Sequence, residues 1–324
     1  MDTSNNSNKN IKDTDKYRSK TSGVSSERPD KKGKDDKVKK TKSREFFDAL
    51  VYAGIVAFII KILLFEAFRI PTGSMEKTLW VGDFLLVTKF TYGATTPRNI
   101  PFTDIRIPYI KLPGFKEPQK GDIIVFDFPG DRDDIESQEV VNYIKRCVAT
   151  PGDTLVIRDK KLYVNGELYP NPPNTVFDKV NRPESFVNPR MFPIGAKWNE
   201  DWYGPIRVPK AGDKIKIDSS NFDGWKMFMI KEGNTVRMSG DGKVYINEAA
   251  LPDGEYTVKR DYLFMMGDNR NNSLDSRFWG FMPVENIVGE ALIIYWSWDP
   301  SISFLNFFDL LSTTRWERIG NIIR

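Results

Sequence analysis

The chain has 324 residues, 40% of them apolar, enough to build a real core as one large domain or two small ones. Its net charge of +4 is modest, and the Lys and Arg excess gathers in the first forty-odd positions, so a basic tail rather than a basic domain sets the balance. A single cysteine, Cys147, excludes an intramolecular disulfide and a cysteine-cluster zinc site, and the absence of histidine excludes Ser-His-Asp triads, Cys-His dyads and His-ligated metals; a serine nucleophile here needs another base.

Residues 1–45 are rich in Asn, Ser, Lys and Asp and poor in large apolar side chains, which predicts a disordered basic tail. Residues 46–68 contain the apolar run ALVYAGIVAFIIKILLFEAF. At about 1.5 Å per residue it matches a hydrocarbon layer of roughly 30 Å, which predicts one transmembrane helix over 46–68. Lys61 and Glu66 interrupt the run, and a helix lying at the interface or in the core is the alternative. The segment follows a long polar tail and ends in Phe68-Arg69-Ile70-Pro71 rather than at a small-residue cleavage site, so a permanent anchor is expected. The preceding Lys and Arg place the N-terminus in the cytoplasm and the C-terminal body on the outer face of the cytoplasmic membrane.

Beyond Pro71, Gly-Asp repeatedly opens a strand-like run: GDFLLVTKF at Gly82, GDIIVFDF at Gly121, GDTLVIRD at Gly152 and GDKIKID at Gly212. Asn165-Gly166 and Asp241-Gly242 are hairpin dipeptides suited to positive φ. The body therefore reads as mainly antiparallel β. There is no solenoid period and no glycine-rich phosphate loop, so nucleotide chemistry is not indicated.

Three segments carry groups suited to catalysis. In Ile70-Pro71-Thr72-Gly73-Ser74-Met75, Pro and Gly break the regular structure and leave a hydroxyl on an irregular segment; alone, this is equally ordinary turn chemistry. In Val141–Val148, strand alternation puts Tyr143, Lys145 and Cys147 on one face and Asn142 and Arg146 on the other. A lysine on an apolar face has a lowered pKa, and its neutral amine accepts a hydroxyl proton, although a stem packed on the sheet with its charge in water is the plain alternative. The run from Met265 to Gly280 is dense in polar groups and offers Asp275 and Arg277 as an ion pair.

Together, PTGSM, then KR followed by PGD, then GDNR…NS.DSR..G make the chain resemble the bacterial type I signal peptidases, the serine-lysine dyad peptidases. The resemblance runs from the apolar segment to RWERIG and includes GDFLLVTKFTYG and GDIIVFDFP. It implies an antiparallel β-sheet catalytic domain of the signal-peptidase type, in two parts (69–154 and 261–324) separated by a variable β-rich insertion (155–260). It further implies that Ser74 is the nucleophile, Lys145 the general base, and Thr72 the hydroxyl that joins the Ser74 amide in an oxyanion hole. Ser273 then falls where a hydroxyl bonds the lysine amine, and Asp275 with Arg277 where an ion pair braces the site. Phe68, Ile70, Pro71, Met75, Leu79, Tyr143 and Ile144 fall on the shallow pockets that select Ala-X-Ala before the cut. Lys77 and Asn142 depart from the family's usual Pro and Asp.

The substrates implied are exported preproteins carrying signal peptides, and the second partner is the lipid bilayer. No metal or organic cofactor and no nucleic acid are expected, and the sequence carries no signal for an oligomeric state. Trp80, Phe84, Trp296, Trp298, Phe304, Phe307 and Phe308 suit a membrane-dipping edge, with core packing as the alternative. A soluble, self-cleaving repressor-type serine-lysine peptidase is disfavoured because no helix-turn-helix pattern precedes Ser74, and an anchored β-domain that binds exported chains without cutting them is the rival from another class.

Overall fold

In the computed structural model, which describes residues 41–96, 105, 107–108, 110–134, 141–303 and 305–324, the apolar segment forms helix α1 (Lys42–Leu63). The helix stops five residues short of the expected Phe68 because Phe65–Arg69 is an edge strand, β1, laid antiparallel on β2 (Asp83–Thr88). Glu66, which a longer membrane helix would carry into lipid, instead lies 3.3 Å from Lys89. The charge-free part of α1 is thereby limited to Ala49–Ile60, about 18 Å long at 1.5 Å per residue. Among the described residues no helix is long and apolar enough to cross a membrane. Residues 1–40 of the expected tail, and Phe304, lie outside the described residues. The chain divides into two units, Met1–Ala49 and Leu50–Arg324, and every described β-strand lies in the second.

The centre of that unit is a mainly antiparallel β-sheet. The further strands are β3 (Ile123–Asp127), β4 (Asn142–Ala149), β5 (Tyr262–Met266), β6 (Met282–Pro283) and β7 (Ile287–Ser297), in the order β1-β2-β7-β3-β4-β5-β6. The run IIVF in β3 is apolar throughout because both sheet faces are covered. Ile123 and Val125 join a core with Ile70, Met75, Leu79, Leu85, Val87 and Ile294, while Ile124 and Phe126 join another with Cys147, Leu263, Met265 and Trp279. Strand β5 pairs with β4 from Arg146 to Ala149.

Each Gly-Asp repeat is one device used four times. Gly82, Gly121, Gly152 and Gly212 have φ of +92, +102, +93 and +87°, which favours glycine. The following Asp83, Asp122, Asp153 and Asp213 accept the backbone N–H three residues upstream, from Trp80, Gln119, Thr150 and Lys210 at 2.7, 2.8, 2.8 and 3.2 Å.

The stretch 155–260 contains a four-stranded sheet that begins at Thr154, two smaller sheets, and a helix that the sequence pattern does not announce, α2 (Phe222–Lys231). Its residues Phe222, Phe228 and Met229 share a core with Val148 of β4, Phe264 of β5 and Phe281, so the insertion is joined to the catalytic sheet by common packing.

Candidate active site

Pro71 and Gly73 keep β1 from continuing, and Gly73–Met75 make a single tight helical turn that carries Ser74. The loop after β5 clamps this turn. Asn269 N–H donates to Ser74 O at 3.0 Å and Asn269 Nδ2 donates to Gly73 O at 3.1 Å and Glu76 Oε2 at 3.2 Å. Gly267 is required here, since a Cβ at that position would fall on Ser273 Oγ and the Ser74 carbonyl.

Lys145, 4% exposed on β4, brings Nζ to 2.8 Å from Ser74 Oγ and 3.0 Å from Ile144 O, with the Tyr143 ring centroid 5.1 Å away. Burial pulls the lysine down to about 8, with Asp275 acting weakly against it. The amine therefore has a substantial neutral fraction near neutral pH, and its nearest oxygen is a serine hydroxyl.

Asp275 and Arg277 form a fully buried pair with two bonds, Nε–Oδ1 at 2.9 Å and Nη2–Oδ2 at 2.8 Å. Burial pushes the Asp275 carboxyl up, but Arg277 and the Gly267 N–H, 3.1 Å from Oδ2, hold it below its usual range. The same carboxylate caps α3 (Ser276–Trp279) by accepting Arg277 N–H. Arg277 also donates to Arg270 O, tying both ends of the polar loop.

The other expected residues fall in different settings. Thr72 is exposed and extended, and its side chain does not cap the turn that follows. Ser273 is buried beside Asp275, yet its Oγ has no well-aligned hydrogen bond and does not reach Lys145 in this state. Phe68, Ile70, Met75, Leu79 and Ile144 gather in one apolar cluster, with Met75 and Leu79 fully buried, while Tyr143 packs in the other core and Pro71 is exposed.

Sequence reasoning missed Arg146 and Asp268. They meet in two bonds of 2.9 and 2.8 Å, and Thr78 Oγ1 donates to Asp268 Oδ2 at 2.6 Å, fixing the segment just after Ser74. The only signal was the adjacency of Arg146 to Lys145 and of Asp268 to the polar run. Among the described residues no cluster of His, Cys, Asp and Glu is placed to hold a metal.

A serine hydroxyl, a desolvated amine against it, and two buried ion pairs around them suit a peptidase, and comparison decides the family. The family model described as signal peptidase, peptidase S26, matches residues 43–296. This chain belongs to the S26 signal peptidases. It is therefore a hydrolase of the signal-peptide-processing class. It is 34% identical over 274 residues to signal peptidase I of Buchnera aphidicola from Schizaphis graminum, covering 82% of this chain and 78% of that one. It is 33% identical over 282 residues to signal peptidase I of Pseudomonas fluorescens (82% and 75%) and 31% over 277 residues to that of Rickettsia typhi (83% and 88%). A crystallised signal peptidase I from Enterococcus faecalis superposes at a TM-score of 0.23 with 20% identity, over 54% of this chain and 97% of that one, too loosely to refine the fold.

Proposed function

We propose that this signal peptidase cuts exported preproteins after small residues, in Ala-X-Ala sites, with Ser74 as nucleophile and Lys145 as general base. The observation that carries the reading is the 2.8 Å approach of a buried amine, lowered to about 8, to the Ser74 hydroxyl in a protein without histidine. Lys145 Nζ takes the hydroxyl proton as Oγ bonds to the scissile carbonyl carbon. The oxyanion that forms is held by the Ser74 N–H and the Thr72 hydroxyl. Collapse breaks the C–N bond, and the lysine returns its proton to the leaving amine. Water then releases the acyl chain by the same proton route, freeing the serine.

Phe68, Pro71, Tyr143 and Ile144, near the Ser74 turn and the Lys145 strand, offer exposed or half-buried apolar surface to the residues before the cut. A shallow apolar border of this kind favours small side chains before the cut.

The anchor is the second part of the proposal. Phe46, Phe47, Leu50, Tyr52, Ile55, Phe58 and Ile59 of α1 are all exposed, and lipid is the environment that covers such a surface. Lys61, near the helix end, reaches the headgroups by extending its stem. The N-terminus then lies in the cytoplasm and the β body outside. Phe307, Phe308 and Trp80 are exposed and Phe84, Trp296 and Trp298 half-buried, linked by edge contacts such as Phe84–Trp298 at 5.5 Å, which suits an aromatic rim at the bilayer.

The test is cleavage of an Ala-X-Ala preprotein by detergent-solubilised wild type, Ser74→Ala and Lys145→Ala, with product ends mapped by mass spectrometry. Cutting after the small residue by wild type alone supports the dyad; equal cutting by all three sinks it. Flotation with liposomes of a chain lacking residues 1–68 checks the rim: membrane binding unchanged by Trp298→Ser with Phe307→Ser together removes that part.

A further inference from the structure

Away from Ser74, α2 and the loop after β3 enclose a cavity of about 280 Å³, near the lower end of small-ligand pockets at roughly 300 Å³. Its walls are aromatic, including Phe128, Phe228, Tyr262 and Trp279, and among the described residues its charged lining is Arg132, Lys231 and Arg260 with no acidic side chain. The three cations are incompletely used. Lys231 Nζ donates to the carbonyls of Gly130 at 3.2 Å and Asp131 at 2.7 Å, which leaves one of its three donors without a partner among the described residues. Arg132 holds the carbonyls of Pro189 and Met191, and Arg260 holds the Lys231 carbonyl at 2.6 Å and the Tyr262 hydroxyl at 3.1 Å.

Among the described residues the surrounding acids pair with two of the lining cations and leave Lys231 without a carboxylate at ion-pair distance. Glu232, fully buried, accepts from the Tyr256 and Tyr262 hydroxyls and from Lys259 N–H, and lies 4.0 Å from Arg260 Nε, partly offsetting that lining charge. Asp133 pairs with Arg132 at 3.3 Å on the outer side, and Asp131, Asp134 and Glu285 contribute charge from beyond the lining. Burial pulls Lys231 down to about 8 against the pull of Asp134, Asp131 and Asp133.

We propose that this cavity is a binding site for a small aryl carboxylate, whose ring lies among Phe128, Phe228 and Trp279 and whose carboxylate meets Lys231, Arg132 and Arg260. No function of Ser74 is needed for it. The aromatic walls supply apolar burial, and the three donors supply a charge-assisted end that a neutral ligand of the same shape cannot use.

The test is calorimetric titration of the full chain in lipid nanodiscs, against empty nanodiscs, with 1-naphthoate and its neutral shape analogue 1-acetylnaphthalene. The expected result is saturable 1:1 binding of naphthoate, at least tenfold weaker binding of the analogue, and at least a tenfold loss for naphthoate in Lys231→Met with preprotein cleavage unchanged. Arg132→Gln, on the opposite rim, carries the same expectation if Lys231→Met does not fold. Equal affinity for acid and analogue, unchanged naphthoate affinity in the folded variant, or no saturable binding by wild type each overturns the proposal.

Discussion

Strand β4 handles two neighbouring buried cations in opposite ways. Lys145 and Arg146 are each 4% exposed and point to opposite faces of the sheet. On one face Arg146 receives a carboxylate, Asp268, in two parallel bonds. On the other, Lys145 receives a hydroxyl, a carbonyl and an aromatic ring, with no carboxylate in contact among the described residues. A guanidinium cannot shed its proton and so serves as a fixed brace, whereas an amine denied a counter-charge is pushed toward the neutral form that accepts a proton. The difference between brace and base lies in what the opposite chain supplies.

The contrast is broken most directly by Lys145→Arg, which keeps a buried cation but removes the ability to lose a proton. Preprotein cleavage should fall by roughly 10³-fold or more, and an active arginine variant would show that the neutral amine is not the working species. Next in size is stability on the two faces, followed by denaturant unfolding. Arg146→Met leaves Asp268 buried without its partner and should cost about 3 to 5 kcal/mol. Lys145→Met removes a poorly compensated charge and should stabilise, on the order of 2 kcal/mol at neutral pH. Equal destabilisation by both would erase the distinction between the faces.

The pH dependence sharpens the same point. A base lowered to about 8 should make kcat/KM rise as pH climbs toward 8 and fall about tenfold per unit below it. The unfolded chain keeps the lysine proton up to about 10.5, so between 8 and 10.5 it binds more protons than the native state, and this group's contribution to stability rises with pH over that window. A cleavage profile flat from pH 6 to 9, recorded with one substrate, would contradict the assignment of about 8 to the catalytic base. The smallest effect is expected of Ser273→Ala. Its hydroxyl has no well-aligned hydrogen bond in this state, so thermal unfolding should move by less than about 1 kcal/mol while cleavage drops around tenfold. A larger loss of stability would mean that the hydroxyl is already engaged.

Much of the site is legible from local pattern. The alternation around Lys145 places it correctly on the Tyr143 and Cys147 face, and Pro71 and Gly73 mark the break that carries Ser74. The Gly-Asp pairs announce their turns, although the carboxylate's bond to the upstream N–H is visible only in space. The end of α1 is not legible, because Phe65, Ala67 and Phe68 satisfy a helix in lipid or a strand on β2 equally well, and only the partner strand decides. Helix α2 is hidden by Gly224 in its interior, an unfavourable helix residue that here permits contact with Pro193. Arg146 and Asp268 lie 122 residues apart, so no local spacing signals their pairing.

The strand order carries a consequence for biosynthesis. Strand β7 follows every other strand of its sheet in the chain, yet it is the third in the sheet, wedged between β2 and β3. The clamp on the serine turn is just as late, since Gly73 O and Asn269 Nδ2 are 196 residues apart. A ribosome delivering this chain makes Ser74 long before it supplies the strand and the loop that position its turn. Translation order thus leaves the serine turn unclamped until Asn269 has been made.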